Sequence, residues 1–121
     1  MQLALDYESK LASIDLCLLG VGGDGHTCSL FHNHPLLSSE KKVDFLLDSP
    51  KPPSGRITLT LKALKTAHYC VFVCMGKDKA DMIHSVFKLN LKYPCTLVKP
   101  DSGNLLWLID YEAASKLNKF S

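Results

Sequence analysis

Two apolar runs, each closed by a glycine, constrain this chain most: IDLCLLG at residues 14–20 and HYCVFVCMG at 68–76. Neither run alternates apolar with polar residues, as a half-exposed strand would. Both are therefore expected to be fully buried strands of a parallel sheet. Parallel strands need crossover connections, and the sequence between and after the two runs supplies helix-like stretches. GKDKADMIHSVFKLN sets Ala80, Ile83, Val86 and Phe87 on one helical face, and GRITLTLKALKTA starts extended and turns helical near Leu61. VDFLLD, PCTLV and LLWLID read as further short strands, DYESKLAS as the end of an amphipathic helix, and residues 35–40 as a short helical or irregular piece. Asp110 is placed to cap a final helix, YEAASKL. The loop SPKPPSG, with three prolines and a glycine, excludes regular structure. The alternation as a whole predicts an α/β fold with its functional loops at the carboxyl ends of the strands.

With 121 residues, 46% of them apolar, the chain suits one domain, residues 1–121, able to bury a real core. A formal charge of +2 with both signs interspersed provides no basic stripe for nucleic acid or for a membrane surface, which leaves small ligands as the expected partners. No apolar run approaches the ~20 residues of a bilayer span. MQLALDYESKLAS lacks the basic and apolar regions of a signal peptide, so the cytoplasm is the expected compartment. Of five cysteines, Cys17, Cys70 and Cys74 lie in apolar runs and are expected as reduced core thiols. Cys28, His32 and His34 are close in sequence. Cys70 and Cys74, however, would stand ~13 Å apart on one strand, so no metal site is expected.

The first apolar run opens into GVGGDGHT, residues 20–27. A glycine-rich turn after a buried strand can gather backbone N–H groups around a phosphate or a developing oxyanion, and it can equally serve plain chain reversal. Gly20, Gly22 and Gly25 satisfy the count of a dinucleotide turn, but no acidic residue follows in the required context, since Asp44 precedes its apolar run. Asp24 and His26 add a proton acceptor beside the N–H groups, the minimum for ester hydrolysis; a helix-capping histidine and a turn-bonded aspartate are the bland reading. His32, His34, His68 and His84 have no comparable setting and are read as surface or packing residues. Arg56 could grip a phosphate in a fork, or be a solvated surface residue. Lys79 lies in the first turn of the helix after Gly76, where the helix dipole disfavours a cation unless an anion binds there. Lys77 competes for the role, and spacing does not choose between them.

The segments DLCLLGVGGDGHTCSLFHNHPLL, DSPKPPSGRITLTLKAL, VFVCMGKDKA and LLWLIDYEAASKL closely resemble, in order and spacing, the C-terminal half of the 6-phosphogluconolactonases, within a broader group that includes the glucosamine-6-phosphate isomerases. The resemblance implies a three-layer, Rossmann-like, mostly parallel sheet flanked by helices, incomplete here relative to the family. It also implies hydrolysis of 6-phospho-D-glucono-1,5-lactone in the oxidative pentose phosphate pathway, without metal or organic cofactor. On this resemblance His26 activates water, Asp24 orients the site, Gly22, Gly23 and Gly25 face the lactone oxygens, and Arg56 and Lys79 match phosphate-binding cations. Gly23 and His32 stand where the family usually has proline. The family's first half is absent, with its strands, a second phosphate loop and an acidic residue, so the chain reads as truncated. An uncovered sheet edge open to self-association or pairing is expected. Two other readings stay open: a catalytically silent binding or regulatory module, and an amino-sugar-phosphate isomerase, which would need a carboxylate from the absent half.

Overall fold

The computed structural model describes residues 1–117. In chain order the elements are α1 (Gln2–Lys10), β1 (Leu16–Leu19), β2 (Val43–Leu46), β3 (Arg56–Leu59), α2 (Leu61–Thr66), β4 (Tyr69–Cys74), α3 (Ala80–Phe87) and β5 (Leu105–Ile109), with 3₁₀ turns at Pro35–Ser38, Lys77–Lys79 and Pro94–Leu97. β1, β4 and β5 form a parallel sheet in that order, and β2 and β3 pair as a separate antiparallel ribbon. The two glycine-closed runs are thus neighbouring strands of one sheet, β4 between β1 and β5. Their carboxyl ends, and the loops that follow, lie side by side.

One face of the sheet carries the core. The register sets Cys17 beside Cys70 beside Leu105, and Leu19 beside Phe72 beside Trp107. These side chains pack with Leu64 of α2 and with Met82 and Ile83 of α3. Phe72 and Trp107 stack with ring centroids 4.3 Å apart, and Phe87 meets Trp107 edge-on at 5.4 Å. Short α2 is held by its cap. The Thr60 hydroxyl oxygen accepts from the Ala63 N–H at 3.2 Å while its proton goes to the Lys41 carbonyl, which ties the helix start to β2. Thr60→Ala is expected to cost about 1 kcal/mol, read as a lower denaturant midpoint at unchanged slope. An unchanged midpoint would show that this cap contributes nothing in solution.

The structure corrects four expectations from the sequence. PCTLV is a 3₁₀ turn rather than a strand, with Pro94 at its first position and the Tyr93 N–H bonded to the Thr96 hydroxyl. Residues 111–117 form successive turns rather than a helix. Asp110 does accept the Ala113 N–H at 2.8 Å, but after the Ala114 N–H to Asp110 carbonyl bond the chain bonds three residues back, Ser115 to Glu112 and Leu117 to Ala114, which closes turns rather than a regular helix. On α3, Met82 joins Ala80 and Ile83 in the core, while Phe87 sits at the rim. The apolar strands, finally, are not fully buried: Leu16 and Leu18 of β1, and Tyr69 and Val73 of β4, face outward. Pro35–Ser38, β2, β3, α2, β4 and β5 fall where the sequence places them. β1 pairs only with β4, so among the described residues its outer edge is open.

Candidate active site

The loop after β1 is folded by its own backbone. Gly22 N–H donates to the His26 carbonyl and Gly25 N–H to the Gly22 carbonyl, both at 2.9 Å, and the Thr27 hydroxyl donates to the Gly20 carbonyl at 2.8 Å. Two of the glycine amides expected to face a ligand are therefore spent on closing the loop. The Gly23 and Asp24 N–H groups have no partner among the described residues and remain amides this loop can offer. Gly22 and Gly25 are instead needed for space. A Cβ on Gly22 would lie 2.3 Å from the His26 ring, and one on Gly25, whose φ is +82°, would lie 2.5 Å from the Tyr93 side chain. Gly23 approaches the neighbouring loop, its would-be Cβ 3.9 Å from the Asp78 carbonyl oxygen.

This tight turn aims the imidazole. Asp24 Oδ1 accepts the His26 backbone N–H at 3.2 Å and stands 2.5 Å from His26 Nδ1. The ring stacks on Phe31 with centroids 4.9 Å apart. With Nδ1 held by the carboxylate, the proton sits on Nδ1 and the acceptor lone pair is on Nε2. Among the described residues no buried side-chain nitrogen or oxygen lacks a hydrogen-bond partner, and Nε2 has none there, so Nε2 reaches solvent. Partial burial by itself would raise the Asp24 pKa. The hydrogen bonds from His26, together with the charges of His26 and Lys51, outweigh it and hold the carboxyl below its ordinary 3.8. Asp24 is therefore ionised at neutral pH. The stability of the pair is full above 3.8 and is lost as pH falls through the lowered value. The Tm difference between wild type and Asp24→Asn should accordingly close in strong acid; a pH-independent difference would contradict the pairing.

The cations arrive from two further loops. Arg56, at the start of β3, donates from Nε to the Pro53 carbonyl at 3.0 Å and from Nη2 to the Lys51 and Pro52 carbonyls at 3.0 and 2.9 Å. Its Nη1 meets Ser29 Oγ at 3.4 Å, and its Cζ stands 5.7 Å from the Phe31 centroid. Phe31 is thus a shared neighbour of the imidazole and the guanidinium. Three carbonyls of the proline loop occupy the fork, and the Nη1 edge is the one left to a ligand. Lys79 ends the 3₁₀ turn after Gly76, whose φ is +102°, and is half-buried, whereas Lys77 is exposed. That difference separates two lysines the spacing left equivalent.

Sequence reasoning missed Lys51. Its Nζ lies 3.9 Å from Asp24 Oδ2, so the carboxylate faces the imidazole on one oxygen and an ammonium on the other. The motif SPKPPSG displayed this lysine, but proline content marks a loop without saying where the loop folds back. Lys51→Met should raise the Asp24 pKa toward its ordinary value in a carboxyl NMR titration, and an unmoved titration would show that the pair does not persist. A second histidine–aspartate pair, His34 Nε2 to Asp48 Oδ1 at 2.9 Å, is of another kind. His34 Nδ1 accepts the Leu36 N–H at 3.1 Å, so both ring nitrogens are engaged and the residue caps the turn at Pro35. Cys28, next to the loop, is no activated nucleophile: burial, reinforced by Cys17, pushes its thiol up to about 11.

The imidazole stands in the loop after β1, and the loop after β4 approaches it at Gly23, so both lie at the carboxyl ends of a parallel sheet, the end at which α/β proteins bind small ligands. Comparison with known proteins narrows the class. The chain belongs to the family described as glucosamine-6-phosphate isomerases/6-phosphogluconolactonase, whose family model matches residues 1–107. It is 46% identical to a probable 6-phosphogluconolactonase 1 of Arabidopsis thaliana over 97% of this chain and 46% of that protein, and 44% identical to the human 6-phosphogluconolactonase over 94% and 48%. The crystal structure of the Thermotoga maritima 6-phosphogluconolactonase superposes with a TM-score of 0.76 at 30% identity, over 89% of this chain and 50% of that one. The chain spans about half the length of the curated relatives it matches. Among the described residues no helix is long and apolar enough to cross a membrane.

Proposed function

We propose that this chain hydrolyses 6-phospho-D-glucono-1,5-lactone to 6-phosphogluconate, the activity its relatives' names carry. The observation that supports this best is the His26–Asp24 pair, with Nδ1 tied to the carboxylate and Nε2 open to solvent. In this scheme Nε2 takes a proton from a water molecule as its oxygen bonds to the lactone carbonyl carbon. Asp24 stabilises the imidazolium that forms. The carbonyl oxygen becomes an oxyanion within reach of the Gly23 N–H. On collapse, the bond from the carbonyl carbon to the ring oxygen breaks, and the imidazolium returns its proton to that oxygen. Arg56 Nη1 and Lys79 hold the phosphate at the far end of the substrate, and Gly22 and Gly25 contribute by leaving room rather than by donating. The scheme uses no metal and no organic cofactor.

A positioned base contributes ~10²–10⁴ in rate, enough to matter for an ester that already opens in buffer. The five cysteines are all free thiols, which supports placing the reaction in a reducing compartment, the cytoplasm. The test is hydrolysis of freshly made 6-phosphogluconolactone by the purified chain, followed as acid release against buffer. A rate above buffer that Arg56→Ala lowers through KM supports the assignment; a rate equal to buffer refutes catalysis by this chain.

A further inference from the structure

The turn that carries Lys79 has little in its own sequence to hold it. It opens at Gly76, whose φ is +102°, and neither the Lys77–Lys79 turn nor α3 is capped by the side chain of the residue before it. Glycine admits positive φ about as readily as negative, so Gly76 permits this turn without enforcing it. The enforcing contact comes from 34 residues further on. Both Asp110 carboxylate oxygens accept the Gly76 N–H, at 3.1 and 3.2 Å, and the Gly76 carbonyl in turn accepts the Lys79 N–H at 3.1 Å. Gly76 alone separates Asp110 from the Lys79 backbone.

Asp110 is itself fixed. Its N–H donates to the Cys74 carbonyl at 3.3 Å, one step beyond the pairing of Cys74 with Ile109, so the residue stands where β5 ends beside β4. Oδ1 also accepts the Ala113 N–H at 2.8 Å, and Ala113 is wholly buried. Lys116 of the same segment pairs with Asp81 in the first turn of α3. An exposed ion pair of that kind contributes little, whereas hydrogen bonds to an ionised carboxylate are about twice as strong as neutral ones. Asp110 is therefore the contact that sets the Gly76 turn.

We infer that Asp110 is a positioning residue for phosphate binding, holding the Gly76 turn so that Lys79 is presented to the substrate. This rests on the proposed hydrolysis, in which Lys79 holds the phosphate. Charge alone argues for the opposite effect. Lys79 and Asp110 both lie near enough to the Cys74 thiol to act on it: burial raises that thiol's pKa most, Lys79 lowers it and Asp110 raises it. A carboxylate in the neighbourhood of the phosphate-binding ammonium repels a phosphate, so deleting it would tighten binding if its charge were all that mattered. If its hydrogen bonds place the ammonium, deleting it weakens binding instead.

The experiment measures kcat and KM for 6-phosphogluconolactone, and calorimetric affinity for 6-phosphogluconate, in the full 121-residue chain, in Asp110→Ala, Asp110→Asn and Lys79→Ala, and in the double variant Asp110→Ala with Lys79→Ala. Asp110→Ala should raise KM and weaken product binding roughly 10- to 10²-fold at nearly constant kcat. Asparagine, equally uncharged but keeping an acceptor for the Gly76 N–H, should fall between alanine and wild type. With Lys79 already removed, Asp110→Ala should cost less than about twofold more, because the contact it serves is gone. Fully additive losses would overturn the inference and leave a carboxylate that only stabilises the fold. Tighter binding in both neutral variants would overturn it in favour of charge. Product binding without turnover refutes the hydrolysis alone, and the cycle on affinity then decides the inference. A wild type inert toward lactone and product alike ends both, a result seen before any variant is made. If Asp110→Ala does not fold, Asp110→Asn takes its place in the cycle.

Discussion

Changing His26 to alanine is expected to remove nearly all of the hydrolysis the chain adds to the buffer rate, a loss of ~10²–10⁴. The loss should fall on kcat. The imidazole moves a proton only once substrate is bound, whereas Arg56 and Lys79, which hold the phosphate in the proposed scheme, are untouched. The fold should survive, because the ring, 19% exposed, stacks on Phe31 at the edge of the core and is not among the core residues themselves. His26→Gln preserves a hydrogen-bond donor to Asp24 without supplying a base, and so should be as slow as alanine. A glutamine variant near wild-type rate would mean that the residue only holds the loop, and the base would have to be sought elsewhere.

Gly22→Ala should produce an effect of similar kind through geometry alone. The added methyl would lie 2.3 Å from both Cε1 and Nδ1 of His26 and 2.7 Å from Asp24 Oδ1, so ring and carboxylate must part from their 2.5 Å pairing. A displacement of ~1 Å at a reacting group costs on the order of 10²-fold. Gly22 is not in the left-handed region, so alanine adds no backbone strain, and Tm should fall by no more than Asp24→Asn lowers it through loss of the same pair. Gly25→Ala differs: at φ +82° and against Tyr93 it strains the chain itself and should lower Tm as well as rate. Measuring kcat and Tm together on both variants separates the two roles. Equal kcat in Gly22→Ala and wild type would show that the imidazole need not stand where the loop sets it.

The residue types determined a good deal. Short apolar runs closed by glycine suit strands of a parallel sheet, which bury such a run and let the chain turn at its end. Thr60, Pro35 and the proline loop set local boundaries by capping and by fixed φ, effects that act within a few residues and are therefore legible in order. Asp24 and His26 are two apart, so their pairing is also a local matter. PCTLV misled because a strand's composition does not say whether an adjacent strand is available to bond it. The Tyr93 turn sits against Gly25 instead, where the Cys95 N–H bonds the Gly25 carbonyl at 3.0 Å.

Tertiary structure decided what depends on contacts between distant segments. Lys51 meets Asp24 only because the proline loop folds back across the site, and Arg56 turns most of its donors to that loop's carbonyls rather than to open solvent. Lys79 differs from Lys77 only in burial, which spacing does not contain. Apolarity in the sequence says that a strand is suited to burial on both sides, but coverage is a property of neighbours. The side chains of Leu18 and Leu106 meet no neighbour that buries them, because the winding of β1, β4 and β5 sends α2 and α3 to the other face.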